Sequence, residues 1–163
     1  MRTKAAAVSL ALLIPFLAGC GSSGGTSAGG PATLPGRAAL QITVDPNPIV
    51  ARSAGGGQYE FPFVIALREL NGLPVSIDRV RMDVYALAGS LRVYEASYSR
   101  DEIARMGYPT SVEGGGQIRY TLNPRKEVPD ERLFGGVEAV LRVEGTDSAG
   151  NSVIDEERVT VRR

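Results

Sequence analysis

The sequence predicts an all-β sandwich of about seven antiparallel strands, with one short helix near residues 100–106. Three observations predict it. From residue 39 onward, large apolar residues recur at every second position in short stretches, the period of strands that bury one face. Clusters of Gly, Asn, Asp and Pro stand between these stretches, as turns require. Only one stretch carries a helix-start signal.

The elements follow in order. Leu40, Ile42 and Val44 alternate with Gln41 and Thr43, which predicts a half-buried strand. Asp45-Pro46-Asn47-Pro48 interrupts it and Ile49-Val50-Ala51 resumes, so the first strand is split and lies at a sheet edge, where proline is tolerated. Gly55-Gly56-Gly57 makes a loose turn. Tyr59, Phe61, Phe63, Ile65 and Leu67 then form the clearest inward face of the chain, with Glu60, Pro62, Val64, Ala66 and Arg68 opposite. After the turn cluster Asn71-Gly72-Leu73-Pro74, Ile77, Val80, Met82 and Val84 face the core, and Arg79, Arg81 and Asp83 face water. Leu91 to Tyr98 is a less regular strand. Ser99-Arg100-Asp101-Glu102 has the spacing of a capping box, in which the Ser and Glu side chains satisfy free N–H groups at a helix start. This predicts a two-turn helix over Arg100–Met106, ended by Gly107. Gly114-Gly115-Gly116 opens a strand with Ile118, Tyr120 and Leu122 inward. Asn123 to Gly136 reads as a proline- and charge-rich loop. Val137, Ala139, Leu141 and Val143 mark a strong strand, residues 146–151 a turn, and Ser152 to Arg163 the last strand, with Val159 and Val161 inward.

That final hairpin resembles the last two strands of bacterial immunoglobulin-like and fibronectin III-like domains. The resemblance implies an immunoglobulin-like β-sandwich over residues 39–163. The paired cysteines and core tryptophan of true immunoglobulin domains are absent, as is a recognisable tyrosine corner. An eight-stranded jelly roll is the other arrangement the pattern allows. The stretches Gly55–Phe61 and Gly114–Tyr120 echo one another; in an immunoglobulin-like topology they are the second and fifth strands, which pair side by side.

Ahead of the domain, Arg2 and Lys4 precede an apolar run from Ala5 to Ala18, and small residues lead to Cys20. This is the layout of a secretory signal peptide, and the run is too short to span a bilayer, which takes about 20 apolar residues. Leu17-Ala18-Gly19-Cys20 resembles the lipobox of bacterial lipoprotein precursors. The resemblance implies a signal peptide over residues 1–19, cleavage before Cys20, a diacylglycerol thioether on Cys20, and a further fatty acyl group such as palmitate on the new amine. Gly21 to Arg37 has almost nothing to bury, so residues 20–38 read as the lipidated cysteine and a flexible tether with an r.m.s. span of about 20–25 Å. Gly21 and Ser22, in place of an acidic residue after the cysteine, favour the outer membrane over the inner if the cell has two.

Composition excludes several function classes. There is no histidine, so imidazole catalysis and histidine metal ligands are out. Cys20 is the only cysteine, so no intramolecular disulfide and no thiolate metal site can form. Arg2 and Lys4 go with the leader, leaving 16 basic against 18 acidic side chains and a mature formal charge of −2. No basic stripe invites nucleic acid. Lys126 is the only lysine after the leader.

The candidate chemistry is sparse. Residues 147–151 resemble a calcium loop, but Ala149 stands at the third position and Gly150 at the fourth, so a hairpin turn fits better. Asp155-Glu156-Glu157 and Asp130-Glu131 could supply paired carboxylates, yet read as a solvated charged edge. Lys126 sits in an exposed loop, unsuited to act as a base. The segment 91–116 offers more. Tyr94, Tyr98 and Tyr108, with Arg105 and the nearby Arg92 and Arg100, are residue types enriched where proteins bind partners. The sequence therefore leads one to expect a non-enzymatic lipoprotein of the cell envelope, without metal or cofactor. It would be held at the membrane through Cys20 and bind another envelope protein, with Tyr94, Tyr98, Arg105 and Tyr108 as partner-binding candidates. The alternative is a carboxylate-based periplasmic enzyme or a small-ligand-binding lipoprotein.

Overall fold

The computed structural model describes residues 35–163 except positions 87, 88, 90 and 129, with the backbone alone at 131 and 133. The leader, Cys20 and most of the tether lie outside the described residues. In chain order the elements are β1 (Leu40–Asp45), β2 (Ile49–Val50), β3 (Arg52–Gly55), β4 (Gln58–Glu60), β5 (Phe63–Glu69), β6 (Val75–Ala86), β7 (Leu91–Ser99), α1 (Arg100–Arg105), β8 (Ser111–Val112), β9 (Gln117–Leu122), β10 (Arg125–Glu127), a 3₁₀ turn (Glu131–Phe134), β11 (Val137–Asp147) and β12 (Ser152–Arg162).

The fold is an all-β sandwich. One layer is a sheet in the order β2-β12-β11-β6-β7, with β8 also paired to β6. The other layer is in two halves, β1-β5-β9 and β10-β4-β3. They are two ends of one ribbon. Phe63 pairs with Leu122 and Glu60 with Arg125, and Phe61 N–H donates to the Pro124 carbonyl between them (3.0 Å). Pro62 and Pro124, which have no N–H to give, fall at the break. This break adds two segments, β4 and β10; with β2, β3 and β8 they make twelve strand segments where the hydrophobic pattern shows about seven strands. The echoing glycine-led stretches lie on the two sides of this ribbon. The split first strand divides between layers: β1 pairs with β5, and β2 pairs with β12 in the only parallel contact among the described pairs. Residues 123–136 are not loop throughout, because β10 adds to β4 and Asp130 accepts from the Arg132 N–H (2.9 Å) to start the 3₁₀ turn.

The core lies between the layers. Leu40, Ile65 and Leu67 meet Val75, Ile77 and Val143, all at most 1 % exposed. Gly55, Gly56 and Gly57 take φ of 86°, 60° and 77°, a left-handed run that only glycine adopts without strain. At the start of α1 the Ser99 N–H donates to the Glu102 carboxylate (2.8 Å), as the capping box predicts, and the Ser99 hydroxyl donates to the same carboxylate (2.7 Å). The helix ends one residue earlier than expected, with Met106 as its cap and Gly107 at φ 81°. Ile103 carries the helix into the core.

A bulge in β6 explains why its inward set shifts from Ile77 to Val80. Arg79 faces Glu144 and Ile77 faces Gly145, so Asp78 has no partner across the ladder. Its carboxylate instead takes Arg100 from the helix and the Thr146 hydroxyl (2.7 Å). Gly145 leaves room for this crossing, since a Cβ there would lie 2.6 Å from the Ser76 carbonyl oxygen and 2.8 Å from Val75 Cγ1. Gly145→Ala is expected to cost about 2 kcal/mol by overpacking, readable as a fall in thermal midpoint with unchanged strand content.

Two buried carboxylates hold the end of the domain where the tether joins it. Glu69, at 1 % exposure, accepts from the N–H groups of Ala39 (3.3 Å), Asn71 (2.8 Å), Gly72 (2.6 Å) and Gly115 (2.8 Å). Burial pushes its carboxyl up, but these donors outweigh burial and hold it below the ordinary carboxylate range. Asp147 accepts from the N–H groups of Ala38 (3.2 Å), Ala149 (2.9 Å) and Asn151 (2.8 Å) and from the Asn151 side chain. Burial opposes ionisation here too, and the donors from Asn151, Ala38 and Ala149 override it to hold the carboxyl at about 2. Residues 147–151 thus form the expected hairpin turn, with Gly150 at φ 84°.

Candidate binding cleft

The two layers do not close on each other along one side. β7 is the last strand of one sheet and β9 the last of the half-sheet opposite, and no ladder joins them. Two cavities lie on the inner face of the larger sheet, the smaller one in this gap and the larger one reaching from β7 across to Ile49 of β2. The larger, about 390 Å³, lies under the 3₁₀ turn and β10, over Met82, Val84 and Ala139. The smaller, about 240 Å³, lies between β7, α1 and β9. Both fall near or within the usual scale of ligand clefts, about 300–1,000 Å³.

The walls are apolar because alternate residues of each strand point inward. β6 contributes Val80, Met82 and Val84, and β7 contributes Tyr94 and Tyr98. Phe134 reaches in from the 3₁₀ turn and stacks edge-on against Tyr59, with centroids 5.0 Å apart at 65°. Tyr108 and Tyr120 pack together at 5.2 Å, and each spends its hydroxyl on a backbone carbonyl, Tyr108 on Thr121 and Tyr120 on Pro109 (2.9 Å). Burial pushes the Tyr120 phenol up to about 12. Burial, and then the neighbouring Tyr94 hydroxyl, also raise Tyr98. The raised phenols of Tyr98 and Tyr120 leave both rings as protonated packing surfaces. Around the opening, Leu91, Val93 and Met106 are each nearly half exposed, an apolar rim continuous with the apolar interior.

Of the four partner-binding candidates, Tyr94, Tyr98 and Tyr108 come together on this cleft. Arg105 does not. It lines neither cavity, and its Nε donates to the Asp101 carbonyl of its own helix (3.2 Å). Sequence reasoning missed Met82, Phe134 and Lys126 as cleft residues. Phe134 carried a signal, as the large aromatic in a proline- and charge-rich stretch. Lys126 sits on β10, with its ammonium 4.3 Å from the centroid of the Tyr94 ring, a cation–π contact.

The acidic candidates lie elsewhere. Asp155 and Glu157 line neither cavity. Asp155 is half buried, and its carboxylate accepts the Ile42 N–H of β1 (2.8 Å), so it joins the two layers instead of forming a solvated edge. Burial raises its carboxyl, and burial followed by the charge of Asp155 raises Glu157. Glu156 pairs with Arg142 (2.7 Å). No group of three or more Asp, Glu, Cys or His residues placed to hold a metal occurs among the described residues. No described helix is long and apolar enough to cross a membrane.

No protein-family model matches the chain, and no curated protein is similar to it in sequence. Among solved structures, it is similar to the Northeast Structural Genomics Consortium target SoR45, with 10 % identity over 79 % of this chain and 90 % of that one and a TM-score of 0.49. It is also similar to a protein from Bordetella pertussis solved under the name ApaA, with 14 % identity over 78 % of this chain and 95 % of that one and a TM-score of 0.48.

Proposed function

We propose that this is a lipid-anchored binding protein of the bacterial cell envelope, acylated at Cys20, that captures an apolar group in the cleft between its sheets and performs no catalysis. The observation that carries this reading is the cleft itself. It is walled by aliphatic and aromatic side chains, and Glu127 at the rim is the one carboxylate on its lining. An acid–base enzyme needs convergent titratable groups where substrate sits, whereas a binding site needs apolar area and a few polar groups at its edge. The lipobox residues and the tether support the anchoring part of the reading. An immunoglobulin-like arrangement is the finer reading of the sandwich, supported by the order β12-β11-β6-β7 facing β1-β5-β9.

Met82→Trp fills the cleft from its floor and tests this directly. Full-length wild-type and variant proteins, isolated from the membranes of producing cells, are compared by mass spectrometry for the small molecules and proteins they retain. The expected result is a retained component that falls about tenfold in the variant, with the thermal midpoint of the domain preserved. Identical retention by both proteins overturns the reading.

A further inference from the structure

The two cavities adjoin, since Phe63, Met82, Tyr94 and Pro124 line both. Together they form one apolar slot that runs along β6 from Ala86 to Val80 and along β11 from Val137 to Leu141. No buried side-chain nitrogen or oxygen among the described residues lacks a hydrogen-bond partner. Nothing inside the slot therefore waits for a polar group, and burying one there would cost its solvation without return. A ligand's polar end has to be met at the rim.

The charges on the lining are Arg92, Lys126 and Glu127. Arg92 is already shared between Asp83 (3.3 Å) and Glu95 (3.0 Å). Lys126 forms no ion pair among the described residues. Its ammonium sits over Tyr94, a residue common to both cavities, so this cation without an ion pair lies where the two halves of the slot meet. Glu127 on the same rim repels a second negative charge, which suits a monoanion better than a phosphate dianion. An unbranched apolar chain that ends in one carboxylate matches this pattern.

We propose that the slot binds a long-chain fatty acid, its chain along the slot and its carboxylate on Lys126. The assignment rests on the cleft being the binding element, as proposed above. The chemistry favours a free fatty acid over the protein's own acyl chains: held as esters and an amide on Cys20, those chains carry no free carboxylate for Lys126 to meet.

The test uses full-length protein in phosphatidylcholine vesicles and two photoreactive probes, palmitic acid with a diazirine in its chain and the matching hexadecanol. The acid is expected to label peptides from β6 and β7, and excess unlabelled palmitate to abolish the labelling. Met82→Trp lowers labelling by both probes about tenfold. Lys126→Glu lowers labelling by the acid about fivefold and leaves the alcohol unchanged. Cys20→Ser protein, with no acyl chain of its own, labels as the wild type does. Labelling outside the slot, or labelling that palmitate does not displace, overturns the proposal whether or not the Trp variant folds. Higher labelling of Cys20→Ser than of wild type would place the protein's own chain in the slot and overturn it as well. Acid and alcohol labelling alike, both blocked by Met82→Trp and neither touched by Lys126→Glu, overturns the fatty-acid assignment while the cleft stands as the binding element.

Discussion

Glu69→Ala is expected to lower stability by about 3 kcal/mol and the urea midpoint by about 2 M. The side chain is buried at the end of β5 and gives acceptors to the N–H groups of Ala39, Asn71, Gly72 and Gly115. Alanine leaves these donors without partners in a place water reaches poorly, and each such loss costs about 1–3 kcal/mol. Part of the sum is offset because a charge no longer has to be buried. The same residues set the response to acid. A carboxyl whose folded pKa is depressed contributes stability that is present above its unfolded value and is lost as pH falls through the folded one. Glu69 lies below its ordinary 4.5, and Asp147 lies at about 2 against 3.8. Their contribution is therefore complete near neutral pH and declines below about pH 4.5, and that of Asp147 is lost as pH falls through about 2. Asp155 and Glu157 act in the opposite sense, because burial raises both and protonation relieves them as pH falls through their folded values. The urea midpoint should rise slightly from pH 7 into the mildly acidic range and then collapse. In Glu69→Ala the collapse becomes shallower from a lower start. A midpoint independent of pH between 5 and 2 would refute this account.

Glu69 also shows what a sequence can and cannot disclose about such a domain. Its partners are 2, 3, 30 and 46 residues away, and the two distant ones are backbone N–H groups, which have no residue-type signature. Asp155 is hidden for the same reason, since its partner is the backbone of Ile42, 113 residues earlier. Read locally, Asp155-Glu156-Glu157 is a charged edge, and only the neighbouring β1 makes its first residue a tie between layers. By contrast, α1 is legible because Ser99 and Glu102 act within one turn. The β11–β12 hairpin is legible because each strand buries one face and the turn is contiguous. β10 is invisible to such patterning, since Arg125, Lys126 and Glu127 are all exposed and their strand character comes wholly from pairing with β4. The cleft lies between these cases. The tyrosines of the 91–116 segment point toward it by residue type. Its existence depends on β7 and β9 failing to meet, a property of how two sheets end that no single stretch encodes.

Cys20→Ser is expected to have the largest effect in the cell: the protein moves from the membrane to the soluble envelope fraction and takes up no labelled palmitate. On the proposed reading, the effect follows from the strength of a lipid on Cys20 and from how little else in the chain would touch the bilayer. Each buried methylene contributes about 0.8 kcal/mol, and one short chain binds only reversibly, so two or three chains on one residue make release slow. Residues 21–34 carry one large apolar side chain, Leu34, and no charge, so they supply no second attachment. The domain begins immediately after them and is clamped at its first residues. Asp147 holds the Ala38 N–H, Glu69 holds the Ala39 N–H, and the Asn71 side chain donates to the Arg37 carbonyl (2.8 Å). A pull on the tether is therefore delivered to buried hydrogen bonds at one end of β11, while the larger cavity lies over Val137 and Ala139 at the other end. The anchor and the binding element are then independent. Cys20→Ser should leave the thermal midpoint and the labelling of the slot unchanged while abolishing membrane fractionation. Met82→Trp should lower the labelling of the slot about tenfold and leave membrane fractionation and the thermal midpoint unchanged. A Cys20→Ser protein that stays with the membrane shows that some other part of the chain holds it there, and the exposed rim of Leu91, Val93 and Met106 is then the first place to substitute.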